Sequence, residues 1–342
     1  MSLPKTYRRA IFAAKGEPLT IEETPLTLPS AGELLVKVEA CGVCFSDMFA
    51  QMGVMDGGFP LCPGHEIIGR VAAVGPTSGS LWKVGDRVGA GWHGGHDSDC
   101  AACQKGWFQM CENQAVNGET KHGGYGEYCL LRSEATVRVP EHVDAAKYAP
   151  ILCAGMTVFN SLRHMNIPVG ETVAVQGLGG LGHLAVQYAA RMGYRVVAIS
   201  RGADKEKFAR ELGAHAFIDA SGPAADVGDA LKALGGASLA IATAPTADSI
   251  APLVKGLGVL GKLLVLSVPG DLTINTGVML KNGLSVQSWP CGHARDSEEA
   301  IAFTELQHID CMIQKFPLEQ AQEAFEAMLA GTVRFRAVIV IE

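Results

Sequence analysis

Two different hydrophobic patterns follow one another along the chain. In the first 150 residues, short β-branched or alternating apolar runs are separated by Gly, Pro and Asp, which is typical of strands and turns. The predicted strands cover residues 33–40, 67–75, 86–91 and 125–131. From Trp92 to Gly118 this pattern fails, because apolar residues are few and Gly, Cys and Asp are many. A loop of that length needs support of its own, which metal ligands could supply.

From about Glu171 the pattern changes to alternating strands and helices. The apolar runs predict strands at 172–176, 195–200, 216–220, 238–244, 262–268 and 284–289. Amphipathic segments between these runs predict crossover helices, one of them over residues 204–213. This alternation indicates a parallel, doubly wound sheet. After about Pro290 a helix-rich segment ends in a strand-like run, 335–342, which we expect to pair with the first domain.

Length, charge and cysteine content narrow the class of protein. A chain of 342 residues favours two domains, and a net charge of −7 disfavours nucleic acid or an anionic membrane as partner. The N-terminal residues lack the apolar stretch of a signal peptide, and the uncharged run 172–190 contains glycines and polar side chains. Ten cysteines without a secretory signal indicate a reducing compartment. We therefore expect a cytoplasmic protein with no membrane partner.

A glycine-rich turn follows the first strand of the second half of the chain. Gly177, Gly179 and Gly182 form the pattern G-x-G-x-x-G directly after the strand and at the start of a helix, with Gly180 and Leu181 between them. In that context the first glycine makes the turn, the second admits a pyrophosphate, and the third lets helix and strand pack closely. The turn therefore predicts a dinucleotide-binding site.

The next strand indicates which dinucleotide is bound. An NAD site usually has Asp or Glu at the end of this strand to accept a hydrogen bond from the ribose 2′-hydroxyl. Here the strand ends in Ser200 and Arg201, with Lys205 close by, and these residues suit a 2′-phosphate. NADP(H) is therefore favoured over NAD(H). The alternative is that Arg201 stacks on the adenine or points to solvent.

The stretch CGVCFSD, residues 41–47, contains two cysteines that allow three interpretations. They could form a redox dithiol or half of a structural zinc site, or one cysteine could work while the other is a bystander. Cys44 together with His65 and Cys153 would make a Cys₂His zinc site with an open fourth position, a ligand set known in alcohol dehydrogenases.

Taken together, these motifs resemble the zinc-dependent medium-chain alcohol dehydrogenases, most closely the NADP-linked, cinnamyl-alcohol-type and yeast-type branches. The motifs follow the family order, namely CGVCFSD, PGHEIIGRVAAVG, the cysteine-rich lobe, CAGMT, GLGGLGH and VRFRAVIVI. The resemblance implies an α/β protein with a GroES-like β-rich catalytic domain, residues 1–153 and 291–342. It also implies a doubly wound parallel-sheet (Rossmann) cofactor domain, residues 154–290, and assembly as a homodimer or homotetramer.

The resemblance also implies roles around the catalytic zinc. Ser46 matches the hydroxyl residue that hydrogen-bonds the bound alcohol. Asp47 and Glu66 match carboxylates behind the zinc ligands, with Asp47 orienting His65. Cys41 has no such counterpart, and we expect it to be a packing residue.

Further matches concern the cofactor and the substrate pocket. Thr157 matches a residue beside the nicotinamide, and Arg336 matches an arginine that pairs with the pyrophosphate. Trp92 matches an aromatic position of the pocket, which Phe45 and Phe49 would extend. The family often has His or Arg where this chain has Phe45, and a relay histidine where it has Phe49, so the outer part of the proton relay is expected to run to water.

The cysteine-rich lobe departs from the family's four-cysteine pattern. Cys100, Cys103 and Cys111 are present, while Asp97 occupies the first position. A Cys₃Asp structural zinc site is therefore expected, since carboxylate oxygen can bind zinc. Two alternatives stay open, namely that His96 completes the site or that the lobe is empty and its thiols are free.

The resulting functional hypothesis is a zinc-dependent oxidoreductase. It would transfer a hydride between NADP(H) and a primary alcohol or aldehyde with an aliphatic or aromatic tail. One alternative is a zinc-free quinone or enone reductase of the same fold. Another is a non-catalytic zinc-binding interaction module built on the cysteine lobe.

Overall fold

The structure, a computed structural model, describes residues 3–77, 81–221 and 227–341. The chain forms two compact units, one of Met1–Met156 with Cys291–Glu342 and one of Thr157–Pro290. The strands are β1 (Thr6–Phe12), β2 (Leu19–Pro25), β3 (Glu33–Val43), β4 (Glu66–Val74), β5 (Arg87–Ala90), β6 (His93–Gly95), β7 (Ala115–Val116), β8 (Tyr128–Arg132), β9 (Val137–Arg138), β10 (Thr172–Gln176), β11 (Arg195–Ser200), β12 (Ala216–Asp219), β13 (Ala237–Ala242), β14 (Leu257–Val265), β15 (Ser285–Ser288), β16 (Ile313–Pro317) and β17 (Arg336–Val340). The helices are α1 (Asp47–Met52), α2 (Ala101–Gln104), α3 (Ala145–Tyr148), α4 (Ala154–His164), α5 (Gly182–Arg191), α6 (Glu206–Glu211), α7 (Val227–Ala233), α8 (Ala247–Ile250), α9 (Thr276–Asn282), α10 (Ala294–Leu306) and α11 (Ala321–Leu329).

The first unit is built on a sheet with the strand order β16-β17-β3-β4-β5-β9, and β8 also pairs with β3. The C-terminal strand β17 runs antiparallel to β3, so its predicted return to the first domain is confirmed. Strands β3 and β4 are antiparallel and place Gly42 opposite Glu66. As a result, Cys44 immediately after β3 and His65 immediately before β4 come from neighbouring strand ends.

The second unit is a six-stranded parallel sheet with the order β12-β11-β10-β13-β14-β15. The predicted doubly wound sheet is therefore confirmed. Its central strands have almost entirely buried side chains, as expected for a sheet covered by helices on both faces. The core of this unit includes Ala174, Val197, Ala240 and Leu263.

Some element bounds differ from the predicted ones. Strand β8 begins at Tyr128 rather than at residue 125, because the preceding glycine-rich residues form a loop. Strand β14 begins at Leu257, five residues before the predicted start, and it includes Gly258 and Gly261. The helix predicted over 204–213 is a 3₁₀ turn, Ala203–Lys205, followed by α6. Among the described residues, no helix combines the length and the apolar character needed to cross a bilayer.

Candidate active site

A buried group of metal-binding side chains lies at the ends of β3 and β4. It contains Cys44, His65, Glu66 and Cys153, and one ligand atom from each lies within 4.8 Å of the others. The Sγ atoms of Cys44 and Cys153 are 3.9 Å apart. Strand pairing positions the first three residues, and Cys153 joins them from the end of a 3₁₀ turn, Ala149–Leu152. The structure thus brings together the three predicted zinc ligands, with Glu66 as a fourth possible ligand.

The chemistry of this group fits zinc. Two sulfur atoms, one imidazole nitrogen and a carboxylate oxygen are ligands that zinc accepts. In the described part of the chain, the buried Nε2 of His65 and Oε2 of Glu66 have no hydrogen-bond partner, which is costly unless a cation binds there. A hydrogen bond from the Cys153 thiol, and then the nearby His65, lower the pKa of Cys44 well below its ordinary value. Cys44 is therefore prepared to act as a thiolate ligand.

Asp47 connects the metal group to the surrounding protein. It is fully buried at the start of α1, and its Oδ2 accepts hydrogen bonds from the Cys44 amide at 2.8 Å and the Tyr125 hydroxyl at 2.6 Å. Its Oδ1 lies 3.2 Å from Nδ1 of His65. Burial alone would lower the pKa of His65, but the Asp47 carboxylate raises it well above the ordinary value. This contact leaves Nε2 as the ring nitrogen that can bind a metal.

Glu66 is paired with Arg336 at the base of the site. The guanidinium is 5% exposed and is hydrogen-bonded to Oε1 of Glu66. Burial raises the pKa of Glu66 to about 7, and Arg336 opposes this shift. Gly42 makes room for this carboxylate, because a Cβ atom there would lie 1.8 Å from Oε2 of Glu66. Arg336 is thus engaged inside the first unit, and its contact with a pyrophosphate stays a prediction.

The predicted substrate residues differ in their surroundings. The half-buried Trp92 packs edge-on against His65, with ring centroids 5.0 Å apart. Phe45 is 49% exposed, and Phe49 is half-buried. Ser46 precedes α1 without capping it through its side chain, so its hydroxyl is not used by the helix. Trp92 therefore has a direct contact with a candidate metal ligand.

A second group of possible metal ligands lies in the cysteine-rich lobe. It contains Asp97, Cys100, Cys103 and Cys111, whose ligand atoms also lie within 4.8 Å of one another. Asn113 donates its side-chain amide to Oδ2 of Asp97 at 2.7 Å, and this bond lowers the pKa of Asp97 below its ordinary value. Three sulfur atoms and one carboxylate oxygen fit a structural zinc site.

His96 has other contacts in the structure. Its ring stacks on Phe108, with centroids 4.2 Å apart, and its Nδ1 lies 3.1 Å from Nε2 of His93. The geometry thus groups Asp97, rather than His96, with the three cysteines.

The glycine-rich turn of the second unit has the predicted conformation. Gly177 has a φ of +92°, and a Cβ atom on Gly182 would lie 1.8 Å from the carbonyl oxygen of Gly177. A Cβ atom on Gly179 would meet nothing within 4 Å, so the second glycine faces open space. Gly180 follows it, and Leu181 precedes the first residue of α5. The turn is therefore shaped as dinucleotide binding requires.

A carboxylate that sequence reasoning overlooked lies beside the end of β11. Ser200 lies opposite Asp219 on β12, and Oδ1 of Asp219 accepts hydrogen bonds from the Gly202 amide at 2.9 Å and the Ser221 hydroxyl at 2.5 Å. Arg201 and Lys205 form no salt bridge with any described residue. Both cations are therefore available to bind an anionic group, although the negative charge of Asp219 lies on the neighbouring strand.

Two family models match the chain, an alcohol dehydrogenase GroES-like domain over residues 30–141 and a zinc-binding dehydrogenase over residues 180–305. The chain is 63% identical over 342 residues to alcohol dehydrogenase notN of Aspergillus sp. (strain MF297-2), covering 100% of both chains. It is 62% identical over 336 residues to alcohol dehydrogenase patD of Penicillium expansum, covering 98% of both. The chain belongs to the zinc-type medium-chain alcohol dehydrogenase family.

Solved structures of this family have the same fold. Cinnamyl alcohol dehydrogenase from Sorghum bicolor superposes with a TM-score of 0.87 at 27% identity, covering 98% of each chain. Acetophenone reductase from Geotrichum candidum, in complex with NAD, superposes with a TM-score of 0.88 at 25% identity, covering 99% of this chain and 98% of that one. The predicted family, the GroES-like and Rossmann fold class and the alcohol dehydrogenase activity are thereby confirmed. Membership of this alcohol dehydrogenase family also argues against a non-catalytic module.

The structure also identifies residues that sequence reasoning missed in this alcohol dehydrogenase. Tyr125 and Asn113 hold the carboxylates of Asp47 and Asp97 in place. Neither belongs to a motif, and each reaches its carboxylate from another part of the chain. Thr157, the residue predicted beside the nicotinamide, lies in the first turn of α4, where its carbonyl oxygen accepts a hydrogen bond from the Ser161 hydroxyl.

Proposed function

We propose that the protein is a zinc-dependent alcohol dehydrogenase that interconverts primary alcohols and aldehydes with NADP(H). The observation that carries this proposal is the buried group of Cys44, His65 and Cys153, in which Nε2 of His65 has no partner among the described residues. A zinc-free quinone or enone reductase has no need of these three side chains together. Their convergence therefore favours the zinc enzyme.

The proposed mechanism gives each residue a separate task. Bound zinc would supply Lewis acidity toward the substrate oxygen, and the nicotinamide would exchange the hydride. Cys44, His65 and Cys153 hold the metal, and Asp47 fixes the ring of His65 through Nδ1. Ser46 accepts the hydroxyl proton of an alcohol and passes it outward during oxidation. Because residue 49 is phenylalanine, the proton continues to water.

Glu66 can adopt two roles in this scheme. With its Oε1 held by Arg336, its Oε2 has no hydrogen-bond partner among the described residues and could serve as a further ligand of a bound metal. It can also stay behind the ligands and balance the charge of Arg336. The cysteine-rich lobe is proposed to hold a second, structural zinc through Asp97, Cys100, Cys103 and Cys111.

The preference for NADP(H) is proposed from the free cations at the end of β11. Arg201 and Lys205 can pair with a 2′-phosphate in a way that a neutral ribose hydroxyl cannot match. Asp219 opposes this preference, but its Oδ1 is already bonded to Gly202 and Ser221. The Geotrichum acetophenone reductase was solved in complex with NAD, so NAD(H) is the cofactor against which this preference must be tested.

The substrate class is proposed from the aromatic residues near the metal group. Phe45, Phe49 and Trp92 offer apolar surface and suit an aliphatic or aromatic tail better than a sugar polyol. The Sorghum relative is named for cinnamyl alcohol, an aromatic primary alcohol, which agrees with this choice.

We also propose that the protein is a homodimer or homotetramer. Strand β15 is an edge of the parallel sheet, and apolar side chains of the same unit are exposed, including Leu280 (87%), Val259 (78%) and Leu260 (70%). An exposed strand edge with apolar neighbours is a surface on which another chain can pair. A second copy paired along β15 would cover them.

The test combines metal analysis with kinetics. Mass spectrometry of active protein should find zinc, with two ions per chain if the cysteine-rich lobe also binds one. Chelation of the catalytic ion should remove activity. Alcohols and aldehydes are then screened with NADP(H) and NAD(H) in parallel, using Arg201→Ser as the cofactor variant and Lys15→Ser as an exposed control. We expect Arg201→Ser to raise KM for NADP(H) by about tenfold and to leave KM for NAD(H) unchanged. Full activity without zinc would refute the mechanism, and a strong NAD(H) preference would refute the cofactor assignment alone.

A further inference from the structure

A third cysteine lies beside the candidate zinc ligands. Cys291 is the first residue of the C-terminal segment of the first unit and lies three residues before α10. Its sulfur atom is 4.0 Å from the carbonyl oxygen of Cys153, and the thiols of the two residues are hydrogen-bonded to each other. Cys291 is half-buried, whereas Cys44 and Cys153 are buried. The metal group therefore has a neighbouring thiol that is not among the predicted ligands.

The fold holds Cys291 in place beside Cys153. His293, the N-cap of α10, forms a capping box that anchors the segment after Cys291 to this helix. Farther along α10, the buried Ser297 hydroxyl donates to the sulfur of Met156 at 2.8 Å, and Met156 lies three residues after Cys153. Cys291 itself has a φ of +27°, in the left-handed region that residues with a Cβ atom rarely adopt. Its surroundings therefore impose its position.

The protons at the three sulfur atoms decide which group donates. The sulfur atoms of Cys44 and Cys153, 3.9 Å apart, share a thiol proton in the structure. Both residues become thiolates on binding zinc, so no proton then remains between them. The ordinary pKa of a cysteine lies above neutrality, and a neighbouring thiolate opposes ionisation of Cys291 further. Cys291 therefore keeps its proton and becomes the donor to the Cys153 thiolate.

We propose that the Cys291 thiol donates a hydrogen bond to the Cys153 thiolate and acts as a positioning residue of the zinc site, an inference that rests on the proposed zinc function. A hydrogen bond to a charged sulfur fixes the orientation of the ligand. It also draws negative charge away from the sulfur, which leaves the metal a stronger Lewis acid toward the substrate oxygen. Asp47 supports His65 in the corresponding way. Two of the three ligands thus have a polar partner that sets their position.

The test uses protein loaded with Co²⁺, whose spectrum contains a charge-transfer band from thiolate sulfur to the metal. Cys291→Ala removes the donor, Cys291→Ser retains one, and Cys129→Ala is the control, a buried cysteine of β8. Cobalt in the cysteine-rich lobe contributes equally to every variant and cancels in difference spectra. We expect Cys291→Ala to move the band to longer wavelength and to weaken metal binding by about three- to tenfold. Cys291→Ser and Cys129→Ala should keep the native band and affinity.

Three results would overturn the proposal. An unchanged band and affinity in Cys291→Ala would show that the thiol does not act on the ligand. Equal shifts in Cys291→Ala and Cys291→Ser would assign the effect to side-chain volume rather than to a hydrogen bond. A loss of band intensity in Cys291→Ala, without a shift, would make Cys291 a metal ligand. Failure of the proposed zinc function gives a different result, because the native protein would then show no band that Cys44→Ser removes, and this inference would fail with it.

Discussion

The hydrogen bond from Tyr125 to Asp47 allows a direct test of how the site is held. The Tyr125 hydroxyl donates to Oδ2 of Asp47 at 2.6 Å, and both side chains are fully buried. Burial, and then the Asp47 charge, raise the pKa of Tyr125 well above its ordinary value, so it stays a donor at any working pH. Tyr125→Phe removes this oxygen and leaves the ring in place.

The size of the effect follows from the kind of bond. A buried hydrogen bond to a charged group contributes about 1.5–3 kcal/mol, which corresponds to roughly 10- to 150-fold in an equilibrium constant. Oδ2 keeps the Cys44 amide as a donor, so the carboxylate is not left bare. Loss of a residue that supports a metal-binding histidine typically costs about 10- to 100-fold in metal affinity. We expect Tyr125→Phe to weaken binding of the catalytic zinc by at least about tenfold.

The assay is competition for zinc against a chromophoric chelator, with the enzyme's metal content followed by mass spectrometry. Tyr194→Phe is the matched control, since its hydroxyl donates to the Ile167 carbonyl at 3.1 Å within the second unit. That variant should lose less folding stability, about 0.5–1.5 kcal/mol for a hydrogen bond to a neutral acceptor, and no zinc affinity. Equal zinc affinity in Tyr125→Phe and the native enzyme would refute the idea that this bond orients the Asp47–His65 pair.

The remaining predictions concern the metal site, stability and assembly. Cys44→Ser should lose the catalytic zinc and turnover. Cys41→Ala should keep both, because Cys41 is a buried core residue. Measurements of metal content and kcat separate the two variants. Among the described residues, none forms a hydrogen bond with the buried carboxylate of Glu119, and burial followed by the Asp47 charge raises the pKa of Glu119 to about 8. Protonated Glu119 therefore stabilises the folded state at low pH, and this stabilisation is lost as the pH rises through the folded-state pKa of about 8. The Tm of the native protein, measured by calorimetry, should fall between about pH 6 and 9, and the Tm of Glu119→Gln should fall less. Leu280→Glu should dissociate the oligomer, and an unchanged mass in light scattering would contradict the proposed interface.

The fold could be predicted because its signals are local. Continuous apolar runs such as residues 172–176 and 195–200 indicate burial on both faces, and a parallel sheet between helices provides it. Element bounds were less predictable where glycine was present, as in β14. There the glycines are accommodated within the strand, whose register with β13 shifts between Ala237 and Leu239.

The candidate site was predictable as far as its ligands lie in motifs. Cys41 and Cys44 have identical chemistry, and their spacing cannot rank them. The structure separates them, because Cys41 lies inside β3, paired with Ile67, whereas Cys44 lies just beyond the strand end, beside His65. The apparent CxxC pair is therefore a core residue followed by a candidate ligand.

Asp219 shows why cofactor preference could be predicted only in part from the sequence. The end of β11 itself carries Ser200 and Arg201, with no carboxylate between them. Parallel pairing places the end of β12 beside the end of β11, so Asp219 lies opposite Ser200 although it is nineteen residues away. Its negative charge acts on the same loop as Arg201, and cofactor preference depends on the balance between them. If Asp219→Asn strengthens NADP(H) binding and Arg201→Ser weakens it, both charges face the 2′-phosphate; if Asp219→Asn has no effect, its bonds to Gly202 and Ser221 make it a support of the loop.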